Sequence, residues 1–378
     1  MKKLLKCIFI IIFLVITQIT VFSYDENEVF GKYQDELKEN IPEEARKYLD
    51  DHLLDELESE SAAYALDIGF WQRTLFKMIN ELLSSVLKDF SLIFGIVILI
   101  SLLSAMRNTI SSAGIAKALS YISTLCLAAA LYRIILVQWD KVDRMLDTLN
   151  IFMNSILPAV TAMYIAGGNV TAATVNSGAF LVVLNIMQNI CRYLLYPMLS
   201  ICFGLAFVSA ITGNDGVRLS GISELVRKTF TGILGFMMTF LTFILSYQTV
   251  FAAGADNMAV KTIKYAIGNM IPMVGGAVSE SVKVIMGGLS AIKNSFGTIA
   301  VIVVVIMVVP VFISLYMTRF CLSVSGTAAE MTGCEKEAKF LADIKNLCNF
   351  AMAICASAAV FFIFGLTVFI KTASAVTT

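Results

Sequence analysis

Long uncharged apolar runs limit this chain more than any other feature of it. Residues 90–106, 118–137, 193–211, 230–251, 298–318 and 350–370 are apolar throughout, and the only charge among them is Arg133, near the end of its run. About 20 apolar residues in a helix cross the ~30 Å hydrocarbon layer of a bilayer, so six runs predict six spans. Composition agrees: 58% of residues are apolar, against roughly 45–50% in soluble domains. Charged residues make up 15%, where roughly 25% is usual, and mean hydropathy is +0.81. A chain of 378 residues with this balance is not a water-soluble globular enzyme as a whole. Its 5 prolines and 11% aromatics exclude fibrous and disordered classes too. The expected fold is all-α, a polytopic integral membrane helical bundle.

The zero net charge is a sum of unequal parts. Residues 1–23 carry Lys2, Lys3 and Lys6 and no acid, and residues 24–69 carry 15 acids and 4 bases. The remaining residues are net basic by 8, so the charge divides the chain into three regions. The first reads as a cleavable signal peptide: a basic start, an apolar stretch from Cys7 to about Ile19, then Val21 and Ser23 where a signal peptidase reads small or aliphatic residues. The mature chain would begin at Tyr24. An uncleaved anchor is the alternative, although the apolar stretch is short for a span.

Residues 24–69 read as a short acidic helical segment outside the membrane. Pro42-Glu43-Glu44 suits a helix start, with proline in the first turn and acids against the positive end of the dipole. Leu49, Leu53, Leu54 and Leu57 recur at helical spacing. The segment is either a docking arm or a solvated charged face, and His52, the only histidine, sits among its acids. Residues 70–89 alternate apolar and charged with helical period, which predicts an amphipathic helix on the membrane surface or against the bundle.

Residues 148–191 carry no charge but many amides, among them Asn150, Asn154, Asn169, Asn176 and Asn185. Pro158 lies near the start of this stretch and Gly167-Gly168 in its middle. A hairpin fits, either in the membrane or as two buried amphipathic helices, because amides are costly against lipid and useful against a partner helix or water. With Tyr24 outside, segments 107–117, 212–229 and 319–349 fall inside and hold 9 Lys/Arg in 60 residues. The outside segments 138–192, 252–297 and 371–378 hold 8 in 109. The bias follows the positive-inside rule. Segment 319–349 then reads as an inside loop, with Cys334 well away from its neighbouring spans.

One segment carries an unusual pattern. Residues 266–297 read AIGNMIPMVGGAVSESVKVIMGGLSAIKNSFG. Pro272 interrupts a helix, and Gly275-Gly276 permits tight turning or close approach. Ser279 and Glu280 suit a helix start, and Gly287-Gly288 repeats the glycine pair. Lys293, Asn294 and Gly297 lead into the next run. The picture is a broken, half-inserted helix beside the bundle, the kind of segment that lines cavities in transporters and channels. Asn154–Val160 and Asn269–Val274 share a proline after an apolar pair and hint at a repeat.

Catalytic constellations are missing. Ser290/Lys293 and Ser85/Lys88 each fit a four-residue SxxK pattern, but no companion motif supports either. There is no Walker loop, HExxH or GxSxG, and the 8 cysteines form no CxxC. Neither an enzyme nor a cofactor or metal is expected, and no nucleic-acid partner.

The leader, the acidic segment, the polytopic body, the ILPAVTAMYIAGG stretch and the block from Pro272 to Gly297 together resemble the stage III sporulation protein AE family of endospore-forming Firmicutes. The resemblance covers essentially the whole mature chain, and the block is its most specific part. It implies a multi-pass protein of the mother-cell membrane around the forespore, belonging to the stage III A assembly. It implies partners among the other stage III A proteins and, across the intermembrane space, stage II sporulation protein Q, with membrane lipid around the chain. It further implies a secretion-like or feeding conduit needed for late forespore gene expression, and no catalytic residues. A secondary transporter or permease is the alternative from another class; it would need ionisable residues inside spans, where only Arg133 comes near.

Overall fold

The computed structural model describes residues 40–49, 68–107, 112–166, 183, 186–212, 224–240, 242–243 and 275–374. The leader, most of the acidic segment, Gly167-Gly168, Pro272 and nearly all of the second half of 230–251 lie outside the described residues. Among those described, regular structure is entirely helical. In chain order the helices are α1 (Glu43–Arg46), α2 (Ile68–Arg107), α3 (Ala113–Ala166), α4 (Tyr196–Thr212), α5 (224–240), α6 (Gly275–Met331) and α7 (Glu335–Ser374). A π turn, Cys191–Leu195, leads into α4. Among the described residues five stretches are long and apolar enough to cross a membrane: Gly69–Met106, Gly114–Ile156, Ile186–Thr212, Ile299–Met331 and Glu335–Ile363. The sixth expected span, 230–251, is represented by α5.

Three local expectations change. Residues 70–89 and 90–106 are one helix of 40 residues. Segment 319–349 is not a loop: α6 continues to Met331 and α7 begins at Glu335. The half-inserted segment is not broken after Gly275, because α6 runs for 57 residues through Gly287-Gly288 and Gly297 without interruption.

The α6–α7 turn shows why so few residues suffice. Gly333 has φ of 74°, a left-handed backbone that costs other L-residues energy. Cys334 N–H donates to Ala329 O at 2.9 Å and Gly333 N–H to Glu330 O at 3.0 Å. This pair of bonds is the Schellman arrangement, which satisfies the last carbonyls of α6. Ala329 and Cys334 are both buried beside it. Glu335 and Glu337 then fall in the first turn of α7, where the helix dipole favours acids.

The core centres on α6. Residues 299–308 are all buried, as a helix apolar on every side requires. α1, α2, α3 and α7 pack around α6. Ile41, Ala45 and Leu49 belong to the same core, so this part of the acidic segment docks on the bundle. Lys47 Nζ and the Tyr48 hydroxyl each donate to Glu81 Oε2 at 2.7 Å, and Lys77 Nζ donates to Lys47 O at 2.7 Å. Burial, with the Glu81 carboxylate beside it, pushes the pKa of the Tyr48 hydroxyl up. On the other side of the bundle Arg227 of α5 pairs with Asp343 of α7 at 2.8 Å. Phe230 meets Phe350 edge-on at 4.7 Å.

Candidate functional site

Polar groups converge where α2, α3 and α6 meet. Lys141 Nζ of α3 donates to Ser314 Oγ of α6 at 2.8 Å. Ser314 Oγ donates to Gln138 Oε1 at 2.9 Å, and one turn on Thr318 Oγ1 donates to Ser314 O at 2.9 Å. Gln138 and Ser314 are each 1% exposed, so their polar groups depend on protein partners rather than on bulk water. Asp89 of α2 lies within electrostatic reach of Lys141 and Arg133. Asp89 directly precedes the run 90–106 and Lys141 follows the run 118–137 by four residues, so the cluster marks one edge of that apolar layer.

The opposite edge lies at the α6–α7 turn. Thr124 Oγ1 donates to Glu337 Oε1 at 3.2 Å in a buried setting. A cavity of about 200 Å³ opens there between Leu103, Ser120, Ser123, Cys334, Lys336 and Glu337. Between the two edges, Ser314, Thr318, Cys321 and Ser325 follow one another at helical spacing along α6, and all four are buried. Gln188 Nε2 donates to Leu146 O at 2.6 Å. Arg192 reaches Asp143 at 3.5 Å and also pairs with Asp147. Ion pairs and amides therefore hold the approach to α4 against α3. These arrangements fix helix register.

A profile of the family described as Stage III sporulation protein AE matches residues 51–373. The chain belongs to the stage III sporulation protein AE family. Stage III sporulation protein AE of Bacillus subtilis (strain 168) is 20% identical over 240 residues, covering 62% of this chain and 58% of that protein. The alignment thus spans less than two thirds of the length of the curated relative. No solved structure matches.

Within this member of the family, Gly275, Gly276, Ser279, Glu280, Gly287, Gly288, Lys293, Asn294 and Gly297 share the first part of α6. Gly297 is buried where α6 enters the core. Pro158 lies inside α3. Pro272, Gly167 and Gly168 lie outside the described residues. The structure therefore strings the α6 residues along one helix and leaves Pro158 on another. Sequence reasoning missed the cluster around Ser314. Its available signal was the position of Asp89 and Lys141 at the borders of two uncharged runs.

Proposed function

We propose that this protein is a membrane subunit of the stage III A sporulation assembly, a conduit between mother cell and forespore required for late forespore gene expression. The observation that carries the reading is the family match over residues 51–373, on a chain whose described residues include five helices long and apolar enough to cross a membrane. In this reading the protein sits in the mother-cell membrane around the forespore, among the other stage III A proteins. Across the intermembrane space the assembly meets stage II sporulation protein Q. The chain serves as a channel or scaffold part rather than as an enzyme. The alternative, a secondary transporter or permease, draws on the ionisable cluster of Asp89, Arg133 and Lys141, since such groups within a bundle commonly mark ion or substrate paths.

The test uses the glycine-rich first part of α6. Glu280 is the only acid between Asp256 and Glu330. Gly276→Leu and Glu280→Lys are expected to block spore formation after engulfment while the protein still accumulates in the membrane. Heat-resistant spores and membrane protein level are scored together. Wild-type spore counts with both variants would refute a role for this segment in the assembly.

A further inference from the structure

The cavity at the α6–α7 turn holds a buried acid with too few partners. Glu337 is 7% exposed and lines the cavity. Among the described residues its side chain has one hydrogen bond, from Thr124 Oγ1 at 3.2 Å, and the same hydroxyl lies 3.0 Å from Ser120 O. A single hydroxyl proton is thus divided between two acceptors. No base pairs with Glu337 among the described residues. Buried carboxylates are matched by a cation or by several donors, because water is not there to solvate them.

The rest of the wall says what would complete this carboxylate. Ser123 Oγ donates its proton to Leu119 O at 2.8 Å, which leaves it lone pairs to offer the cavity. Glu335 and Glu337 line the space against one base, Lys336, so its charge is net negative. A matching ligand brings positive charge together with N–H donors, and a primary ammonium carries three donors on one charge. The place suits a lipid. The cavity lies at one edge of the apolar layer, and Leu103 and Leu119 form an apolar part of its wall. On the same ends of α2 and α3, Leu102, Met106 and Ile115 are exposed, which gives acyl chains an apolar path away from the site. Lys336 is exposed and suits a phosphate at the mouth.

We propose that this cavity takes the primary ammonium of an ethanolamine phospholipid. Glu337 and Ser123 accept its N–H groups, Lys336 faces the phosphate, and the acyl chains run along α2 and α3. A choline headgroup has no N–H and leaves the same acceptors unmet. The assignment does not rest on the conduit reading.

The test is native mass spectrometry of the full-length protein in detergent, given phosphatidylethanolamine, phosphatidylcholine and phosphatidylglycerol in equal amounts. The ethanolamine lipid is expected to be retained about ten times more than the choline lipid, the difference that one charge-assisted hydrogen bond makes. Glu337→Gln keeps the shape of the side chain and an acceptor for Thr124 but removes the charge, and it should bring that ratio close to one. If this variant fails to accumulate, Ser120→Leu, which fills the cavity from its half-buried rim, replaces it and should abolish the same preference. Equal retention of the ethanolamine and choline lipids by the native protein overturns the proposal, and so does a preference that survives the substitution. Stronger retention of phosphatidylglycerol would make Lys336 the anchor and overturn the role of Glu337. Free ethanolamine at the lipid's concentration should not displace it; full displacement would overturn the lipid as the source of the ammonium.

Discussion

Ser314 joins two helices through one hydroxyl, and Ser314→Ala removes that oxygen. Gln138 Oε1 then loses its donor in a site where Gln138 is 1% exposed. An unsatisfied buried acceptor costs about 1–3 kcal/mol. Lys141 is only half-buried and can turn toward Asp89 or water, so its loss is smaller, about 0.5–1.5 kcal/mol. The single variant should therefore cost roughly 2–4 kcal/mol. Ser314→Ala combined with Gln138→Leu removes donor and acceptor together. Replacing both partners with apolar groups is far cheaper than orphaning one, so the double variant should recover at least about 1 kcal/mol of the loss. The assay is thermal unfolding in detergent with a thiol-reactive fluorogenic dye. Cys191, Cys202, Cys321, Cys348 and Cys355 are buried and become reactive when the core opens. The single variant should lower the midpoint by several degrees, on the order of 5 °C, and the double variant should regain part of it. A double variant at least as unstable as the sum of the two single changes would refute the reasoning.

At the α6–α7 turn, an added Cβ on Gly333 meets nothing within 4 Å, so any cost comes from the backbone alone. Gly333→Val should lose about 1–2 kcal/mol in the same dye assay and Gly333→Asn much less, because asparagine tolerates the left-handed region; equal losses would contradict this account. At the other end of the chain, N-terminal sequencing of the membrane-resident protein should begin at Tyr24 or within a few residues. An intact Met1 would overturn the signal-peptide reading.

The helical character of the body was legible because runs such as 90–106 and 350–370 leave no charge for 17 or more residues. Position relative to lipid was less legible. A hydropathy run records the absence of charge, and a protein core needs that as much as a bilayer does. Residues 299–308 satisfy the rule while touching protein. Segment 319–349 misled in the opposite direction. Its charges resemble those of a loop, yet they decorate two helices joined by the short turn at Gly333. Cys334 in its midst is 4% exposed, so its native thiol makes a poor reporter of which side this segment faces. The cluster at Ser314 was legible only in part, through Asp89 and Lys141 beside two apolar runs. Its partners Lys141 and Gln138 lie 173 and 176 positions away, a distance over which local periodicity carries no information. The start of α1 behind Pro42 was legible, because the rules for helix entry are local.

Pro310 gives α6 a mechanical property. The helix continues on both sides of it, but proline offers no N–H to the carbonyl one turn earlier and crowds it. The rod is therefore most compliant at one point along its length. From there to Gly275 the helix extends roughly 50 Å. Residues 299–308, just before Pro310, are all buried, so the surrounding helices clamp the rod right beside its most compliant point. The stretch bearing Gly276 and Glu280 continues the same rod beyond that clamp.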